Sequence, residues 1–190
     1  MNKLNGLILT GGRSTRMGRD KSTMIYHRKP QREHLTDLLI PYCDAVFWSV
    51  NAEQAIDITT PDQPVIIDAF VLPGPLNGIL SAFQFDPSAA WLVVACDMPL
   101  LSAQSLTALV EGRNLAKMAT VFYDSDGQLP EPLLGIYEPA FGPILHQAFL
   151  KGAFSPRQIL RQNDIQLLNV PDSSELANVN DPAAKAALGL

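Results

Sequence analysis

The chain is poor in cysteine. Cys43 and Cys96 are its only two thiols. They do not form a CxxC pair, and no His or Cys cluster has zinc spacing, which excludes a disulfide scaffold and a structural zinc fold. Long apolar runs are absent as well. No stretch approaches the roughly 18 residues a membrane span requires, and the opening "MNKLNGLILT" is too short in its apolar part for a signal peptide. A soluble, cytoplasmic protein without membrane contacts is expected. Positive charge is scarce: Lys and Arg number 14 against 19 Asp and Glu, for a net charge of −5. That balance argues against a sequence-independent nucleic-acid binder, which needs a basic face. The three histidines, His27, His34 and His146, read as isolated, with no Ser–His–Asp order. His34 falls on an apolar helical stripe and reads as a packing residue.

What the chain does have is apolar residues, 47% against 17% charged, enough for one substantial core in 190 residues. Strand-like runs occupy 4–10, 45–50, 65–68, 91–97, 119–123 and 133–137. Most are apolar throughout rather than alternating, the mark of strands covered on both faces. Trp48 and Trp91 lie inside such runs as core candidates. Helical patterns fall at 31–43, 76–85, 102–110, 139–150, 155–163 and 181–190. Ser102, Ser155 and Asp181 stand at N-cap positions, and Pro156 and Pro182 at first helical positions. Strand alternating with helix predicts an α/β fold of three layers, with a mostly parallel central sheet and helices on both faces. The stretch 124–132, "DSDGQLPEP", reads as a loop separating a first half, 1–123, from a second, 124–190, within one domain.

In open sheets of this kind, ligands sit at the carboxyl ends of the strands. "TGGRSTRMG", "NAEQ", "DAFVLPGPLNG" and "CDMPL" all fall there. Gly11 and Gly12 follow the first strand directly and allow backbone N–H groups to approach a ligand closely. Arg13, Arg16, Arg19 and Lys21 follow against one carboxylate, Asp20, a cationic island in an acidic protein. A phosphate chain is the ligand this suits; a plain turn with solvated arginines is the structural alternative. Walker A is excluded because Gly18 is followed by Arg19, not by Lys and Ser or Thr. The dinucleotide fingerprint G-x-G-x-x-G is excluded because the glycines stand at 11, 12 and 18.

Asp97 ends the run "WLVVACD", where it can hold Mg²⁺ alongside phosphate oxygens or cap the next turn. Cys96, beside it, points to the opposite side and is assigned to packing. Asn51 can match the edge of a purine or make an Asx turn. Asp68 can accept from guanine N–H groups or ribose hydroxyls, or act as a cap. Gly74, Pro75, Leu76 and Gly78 form a tight segment in which Gly78 leaves room for a ligand's approach. Arg157 and Arg161 sit near Ser155, whose helix N-terminus favours anions; an exposed amphipathic helix is the alternative.

The run L-x-G-G-x-S-x-R-M-G-x-D-K, made here by Leu9, Gly11, Gly12, Ser14, Arg16, Met17, Gly18, Asp20 and Lys21, resembles the signature of the MobA-like nucleotidyltransferases. The resemblance continues through "SVNA", "IID", "GPLNGIL", "VACDMPLL", "PLLGIY" and "NVNDP", nearly the full chain in order. It implies a Rossmann-like nucleotidyltransferase fold and the transfer of GMP from GTP to the phosphate of molybdopterin or the molybdenum cofactor. Mg²⁺ is the implied metal, with Asp97 as its ligand. Leu9, Thr10, Gly11, Gly12, Lys21, Asn51, Asp68, Gly78 and Asp97 are the implied nucleotide contacts, and Arg16, Lys21 and Asp97 the catalytic set. Arg157 and Asn180 are the acceptor candidates, with Pro132 and Leu133 on the wall. Molybdoenzymes or cofactor-assembly enzymes are the implied protein partners. Sister enzymes that use CTP carry L-A-A-G, so Gly11 and "NVNDP" favour the GTP branch, while Thr10 departs from the usual alanine. A cytidylyl or sugar-phosphate transferase on the same fold, and a non-catalytic GTP-binding derivative, share these residues.

Overall fold

In the structure, a computed structural model, residues 3–10, 21–58 and 62–177 are described, Lys21 by its backbone alone. Gly11, Gly12, Arg16, Asn180 and Asp181, with the expected helix 181–190, lie outside the described residues.

Seven strands form one sheet: β1 (Leu4–Leu9), β2 (Ala45–Val50), β3 (Val65–Ile67), β4 (Ala90–Ala95), β5 (Ala119–Tyr123), β6 (Pro130–Tyr137) and β7 (Gln166–Leu168), in the order β3-β2-β1-β4-β6-β5-β7. β1 runs parallel to β2 and β4, β2 to β3, and β5 to β7; only β6 is reversed, antiparallel to both β4 and β5. Among the described residues six α-helices connect them: α1 (Gln31–Leu39), α2 (Ala52–Asp57), α3 (Pro75–Phe85), α4 (Ala103–Glu111), α5 (Phe141–Leu150) and α6 (Pro156–Arg161).

The unbroken apolar runs are explained by two cores, one on each face. Leu7, Leu9, Phe47, Trp91 and Val93 turn to one side, where α3, α5 and α6 bring Leu76, Ile79, Phe83, Leu145 and Leu160. Ile8, Val46, Trp48, Leu92 and Val94 turn to the other, where α1 and α4 bring Leu35, Leu39, Leu106 and Leu109. Successive residues of a strand point to opposite faces, so a sheet covered twice needs apolar side chains at every position. Both tryptophans are buried as expected, and Cys96 packs in the second core. Ser102 and Ser155 cap α4 and α6 through their hydroxyls, with Pro156 at the first position of α6.

The structure corrects three expectations. The loop is shorter than 124–132: residues 130–132 open β6, and 124–129 form a hairpin turn with Gly127 at φ +69°. β6 pairs with β4 only from Leu134 onward, so Pro130 and Pro132 interrupt no β4–β6 ladder. β7 and α2 had no counterpart in the sequence reading. Finally, His27 and His34 are not isolated. A turn between Met24 and Gln31 folds the chain back, and the two rings stack at 4.1 Å. No helix among the described residues is long and apolar enough to cross a membrane.

Candidate active site

The chain leaves β1 toward β2 on one side and reaches β4 on the other, so the sheet reverses its winding between β1 and β4. The carboxyl end of such a reversal is a crevice. Leu9 and Thr10 stand at the end of β1, Asn51 after β2, Asp68 after β3, and Cys96 and Asp97 after β4. Cys96 N–H donates to the Leu9 carbonyl at 3.3 Å, which holds the ends of β1 and β4 together.

A cleft of about 630 Å³ opens over β1, β2 and β3. Leu9, Asn51, Asp68, Gly74, Pro75 and Gly78, all singled out by the sequence, line it. Its floor is set by polar contacts. Ser49, 2% exposed, donates its hydroxyl to Asp68 Oδ1 at 3.1 Å. Burial pushes the Asp68 carboxyl above the usual aspartate range, and the Ser49 hydrogen bond pulls it back. Thr10 is buried, and its hydroxyl donates to the Ser49 carbonyl at 2.6 Å rather than into the cleft. Asn51 caps α2: Oδ1 accepts from Gln54 N–H at 2.8 Å, and Gln54 Oε1 accepts from Asn51 N–H at 3.0 Å. The Asx-type role and a place in the cleft therefore coincide in one residue, with the Asn51 amide NH₂ left as its donor toward a ligand. Gln54 Nε2 also donates to the Thr10 carbonyl at 3.2 Å.

The rim of the cleft, 68–74, is held by two side chains the sequence reading passed over. Asn77 accepts from Phe70 N–H at 3.2 Å and donates to the carbonyls of Phe70 and Leu72 at 2.6 and 3.1 Å. Ser81 accepts from Ala69 N–H at 2.9 Å. Gly74, at φ +90°, turns the rim into α3 with Pro75 as the first helical residue.

Gly78 lines the cleft, and packing also requires its hydrogen. A Cβ there would lie 2.3 Å from Ser49 Oγ and 2.7 Å from Leu9 Cδ2. The glycine lets α3 sit directly on the ends of β1 and β2.

Asp97 is half-buried and is not part of the cleft lining. It stands one strand further on, across β1. The turn that carries it is tied to the segment after Lys21. His27 Nε2 donates to the Pro99 carbonyl at 2.6 Å, and Gln31 Nε2 donates to the Met98 carbonyl at 3.3 Å. Burial, then the charges of His27 and Lys29, bring the His34 imidazole down to about 4, so it stays neutral and stacks. Lys21 opens a one-turn 3-10 helix, 21–23, which packs beside α1.

The third group of residues lies at the ends of β5 and β6. Arg157 does not face solvent alone. Its guanidinium lies 3.6 Å from Asp124 Oδ2 and donates to Glu131 Oε2 at 3.2 Å. Glu131 is buried, and its other oxygen accepts from Leu133 N–H at 3.0 Å. Desolvation raises the Glu131 carboxyl, against the Leu133 N–H and Arg157, and the Asp97 and Asp124 charges add to the rise. Asp97 and Glu131 are thus electrostatic neighbours. Among the described residues, no group of three His, Cys, Asp or Glu side chains is arranged to hold a metal on its own. One hard carboxylate at Asp97 fits a cation that brings most of its oxygen ligands with a nucleotide.

This sheet order, with a cleft beside its winding reversal, is an α/β fold of the nucleotidyltransferase type. The chain belongs to the family described as the MobA-like NTP transferase domain, whose model matches residues 6–167. It is 34% identical over 94% of its length to the molybdenum cofactor biosynthesis bifunctional protein of Synechocystis sp., of which it spans 52%. It is 32% identical over 93% of its length to the molybdenum cofactor guanylyltransferase of Pseudomonas fluorescens, covering 88% of that protein. The crystal structure of molybdopterin-guanine dinucleotide biosynthesis protein A from Archaeoglobus fulgidus matches with a TM-score of 0.79 at 21% identity, covering 98% of this chain and 100% of that one. That likeness carries the fold.

Proposed function

We propose that the chain transfers GMP from GTP to the phosphate of molybdopterin, with release of pyrophosphate. The observation that supports this most is the convergence of Leu9, Asn51, Asp68 and Gly78 on one cleft, with Asp97 one strand away after β4. Family membership and relatives named for guanylyl transfer agree with it.

In this reading, guanine and ribose occupy the cleft over β1–β3. Asp68 accepts from the base's N–H groups or from ribose, and Asn51 donates. The triphosphate extends from the cleft toward Asp97, and Arg16 and Lys21 are assigned to balancing its charge. An oxygen of the acceptor phosphate attacks the α-phosphorus in line, the bond from α-phosphorus to the bridging oxygen breaks, and pyrophosphate leaves with the electron pair. A phosphate acceptor is already ionised at neutral pH, so no general base is needed. Catalysis comes from alignment and from stabilising charge on the phosphoryl oxygens. Asp97 would hold Mg²⁺, which when bound supplies charge neutralisation at the α-phosphate and leaving group. Arg157 and Asn180 are assigned to the acceptor, Arg157 by releasing its carboxylate partners or by sharing itself with them.

The test is pyrophosphate release with each of GTP, CTP, ATP and UTP, with and without purified molybdopterin, in Mg²⁺ or in EDTA. Release is expected only with GTP, acceptor and Mg²⁺ together, in step with a guanine dinucleotide product. Faster release with CTP, or GTP turnover without an acceptor, would overturn the assignment.

A further inference from the structure

We infer that Ser49 is a positioning residue for nucleotide selection, acting by holding Asp68 as an oriented, ionised acceptor at the floor of the cleft. The inference rests on the proposed nucleotide site and adds a residue to it.

Three observations carry it. Ser49 is almost fully buried, and its hydroxyl donates to Asp68 Oδ1 at 3.1 Å. The bond engages one oxygen, which leaves Oδ2 as the acceptor toward a ligand N–H or O–H. Ser49 also cannot wander. Thr10 donates to its carbonyl through both N–H and Oγ1, at 3.2 and 2.6 Å, and α3 presses on its side chain at Gly78, where even a methyl group would lie 2.3 Å from Oγ. Asp68 itself is fixed by its backbone, whose N–H donates to the Val50 carbonyl at 2.8 Å. A carboxylate set on a stiff donor has one direction available to it. That suits a ligand edge with adjacent donors, such as guanine N1–H and N2–H₂, and is poorly matched to an edge that presents an acceptor there.

Protonation follows from the same contact. The half-buried Asp68 is pushed toward its neutral form by desolvation and held in its charged form by Ser49. A neutral Asp68 carries an O–H donor on one oxygen and so matches a pair of ligand donors poorly. Nucleotide binding is therefore lost as pH falls through the Asp68 titration, and without the Ser49 hydroxyl that loss moves to higher pH.

The experiment measures steady-state KM and kcat for GTP, with CTP as competitor, between pH 5 and 8, for wild type, Ser49→Ala, Asp68→Asn and the double variant. Ser49→Ala is expected to raise the KM for GTP about tenfold, leave kcat at saturating GTP within about twofold, and shift the acid limb of kcat/KM to higher pH. In the Asp68→Asn background the same change is expected to have an effect under about twofold. A role in packing alone would give the same loss in both backgrounds, with no movement of the acid limb, and would overturn the inference. If Ser49→Ala does not fold, Ser49→Cys, which keeps a weak donor of similar size, carries the same comparison with the same two outcomes. Wild type that binds GTP while the variant's KM and pH profile are unchanged removes only the role of Ser49. Wild type that does not bind GTP removes the nucleotide assignment beneath it and the inference with it.

Discussion

The two sides of the sheet's carboxyl edge are built from different materials. Over β1–β3, short buried polar side chains hold one another in fixed hydrogen bonds: Thr10 to Ser49, Ser49 to Asp68, Asn77 to the 68–74 rim. At β5 and β6 a long cation, its side chain 38% exposed, bridges Asp124 and Glu131. Fixed buried donors cannot rearrange, so they discriminate by shape and by donor pattern. A half-exposed ion pair can trade a carboxylate for a phosphate at small cost, because both bonds are charge-assisted and solvent stays near. Under the proposed function, the base side is a template and the acceptor side is an exchange. Asp97 lies between them.

The largest expected effect is at that seam. Asp97→Asn removes the charge that would hold the metal while keeping the side chain's size. Turnover is expected to fall by about 10³-fold, with the circular dichroism spectrum unchanged. Pyrophosphate release in single turnover measures it. A loss under tenfold would place the metal elsewhere and leave the two sides without a shared centre.

Gly78→Ala is expected to damage the template alone. Its methyl group meets Ser49 and Leu9 at distances no relaxed contact allows. Overpacking of this kind costs about 1–3 kcal/mol of stability, readable by urea denaturation, and Ser49 must shift with it. The KM for GTP should therefore rise while the KM for the acceptor holds. Equal changes in both would show that the two sides are one mechanical unit.

How far the sequence foretold this division depends on what kind of contact makes it. Strands covered on both faces are written in unbroken apolar runs, so β1, β2, β4 and β5 were legible to within a residue or two. β7 was not, because three residues, Gln166–Leu168, on the edge of a sheet carry no period. The reversal of β6 was also hidden, since a strand buried on both faces reads alike in either direction. At the site, the chemistry-bearing residues Asn51, Asp68 and Asp97 stood at strand ends and were found there. What held them was missed. Ser49 lies inside a strand and Asn77 inside a helix, where a lone polar residue has no pattern to announce it. Their roles depend on neighbours nineteen and seven residues away. Gly78 was found for the room it leaves a ligand, and its packing against Ser49 and Leu9 stayed hidden, since spacing shows a needed glycine but not which atom needs the room. Arg157 was read as a cation near a helix start, and nothing in the spacing pointed to its two carboxylates.

Arg157→Ala tests the exchange side. The KM for the acceptor is expected to rise about tenfold, the value of one charge-assisted contact, with the KM for GTP unchanged. The same KM should climb with added salt in wild type and climb less in the variant. Selection between GTP and CTP should show no such salt dependence, because its contacts are buried. If Arg157→Ala weakened GTP as much as the acceptor, the guanidinium would belong to the triphosphate.

The smallest expected effect falls on Thr10, and it sharpens the comparison from within the template. The threonine hydroxyl points along the sheet to the Ser49 carbonyl, and Thr10 is not among the residues that line the cleft. Thr10→Ala removes that bond without stranding its acceptor, because Thr10 N–H still donates to the same oxygen at 3.2 Å. The loss should stay near the net worth of one hydrogen bond, about 1 kcal/mol, measured by urea denaturation. Since Ser49 keeps its backbone partner and its contact with α3, Asp68 should stay in place. The ratio of kcat/KM for GTP over CTP should then move by less than about twofold, even though Thr10 directly precedes Gly11 and Gly12 in the sequence. A severalfold change in that ratio would mean that Thr10 itself reaches the base, and that selection is spread over the root of the loop rather than concentrated on Ser49 and Asp68.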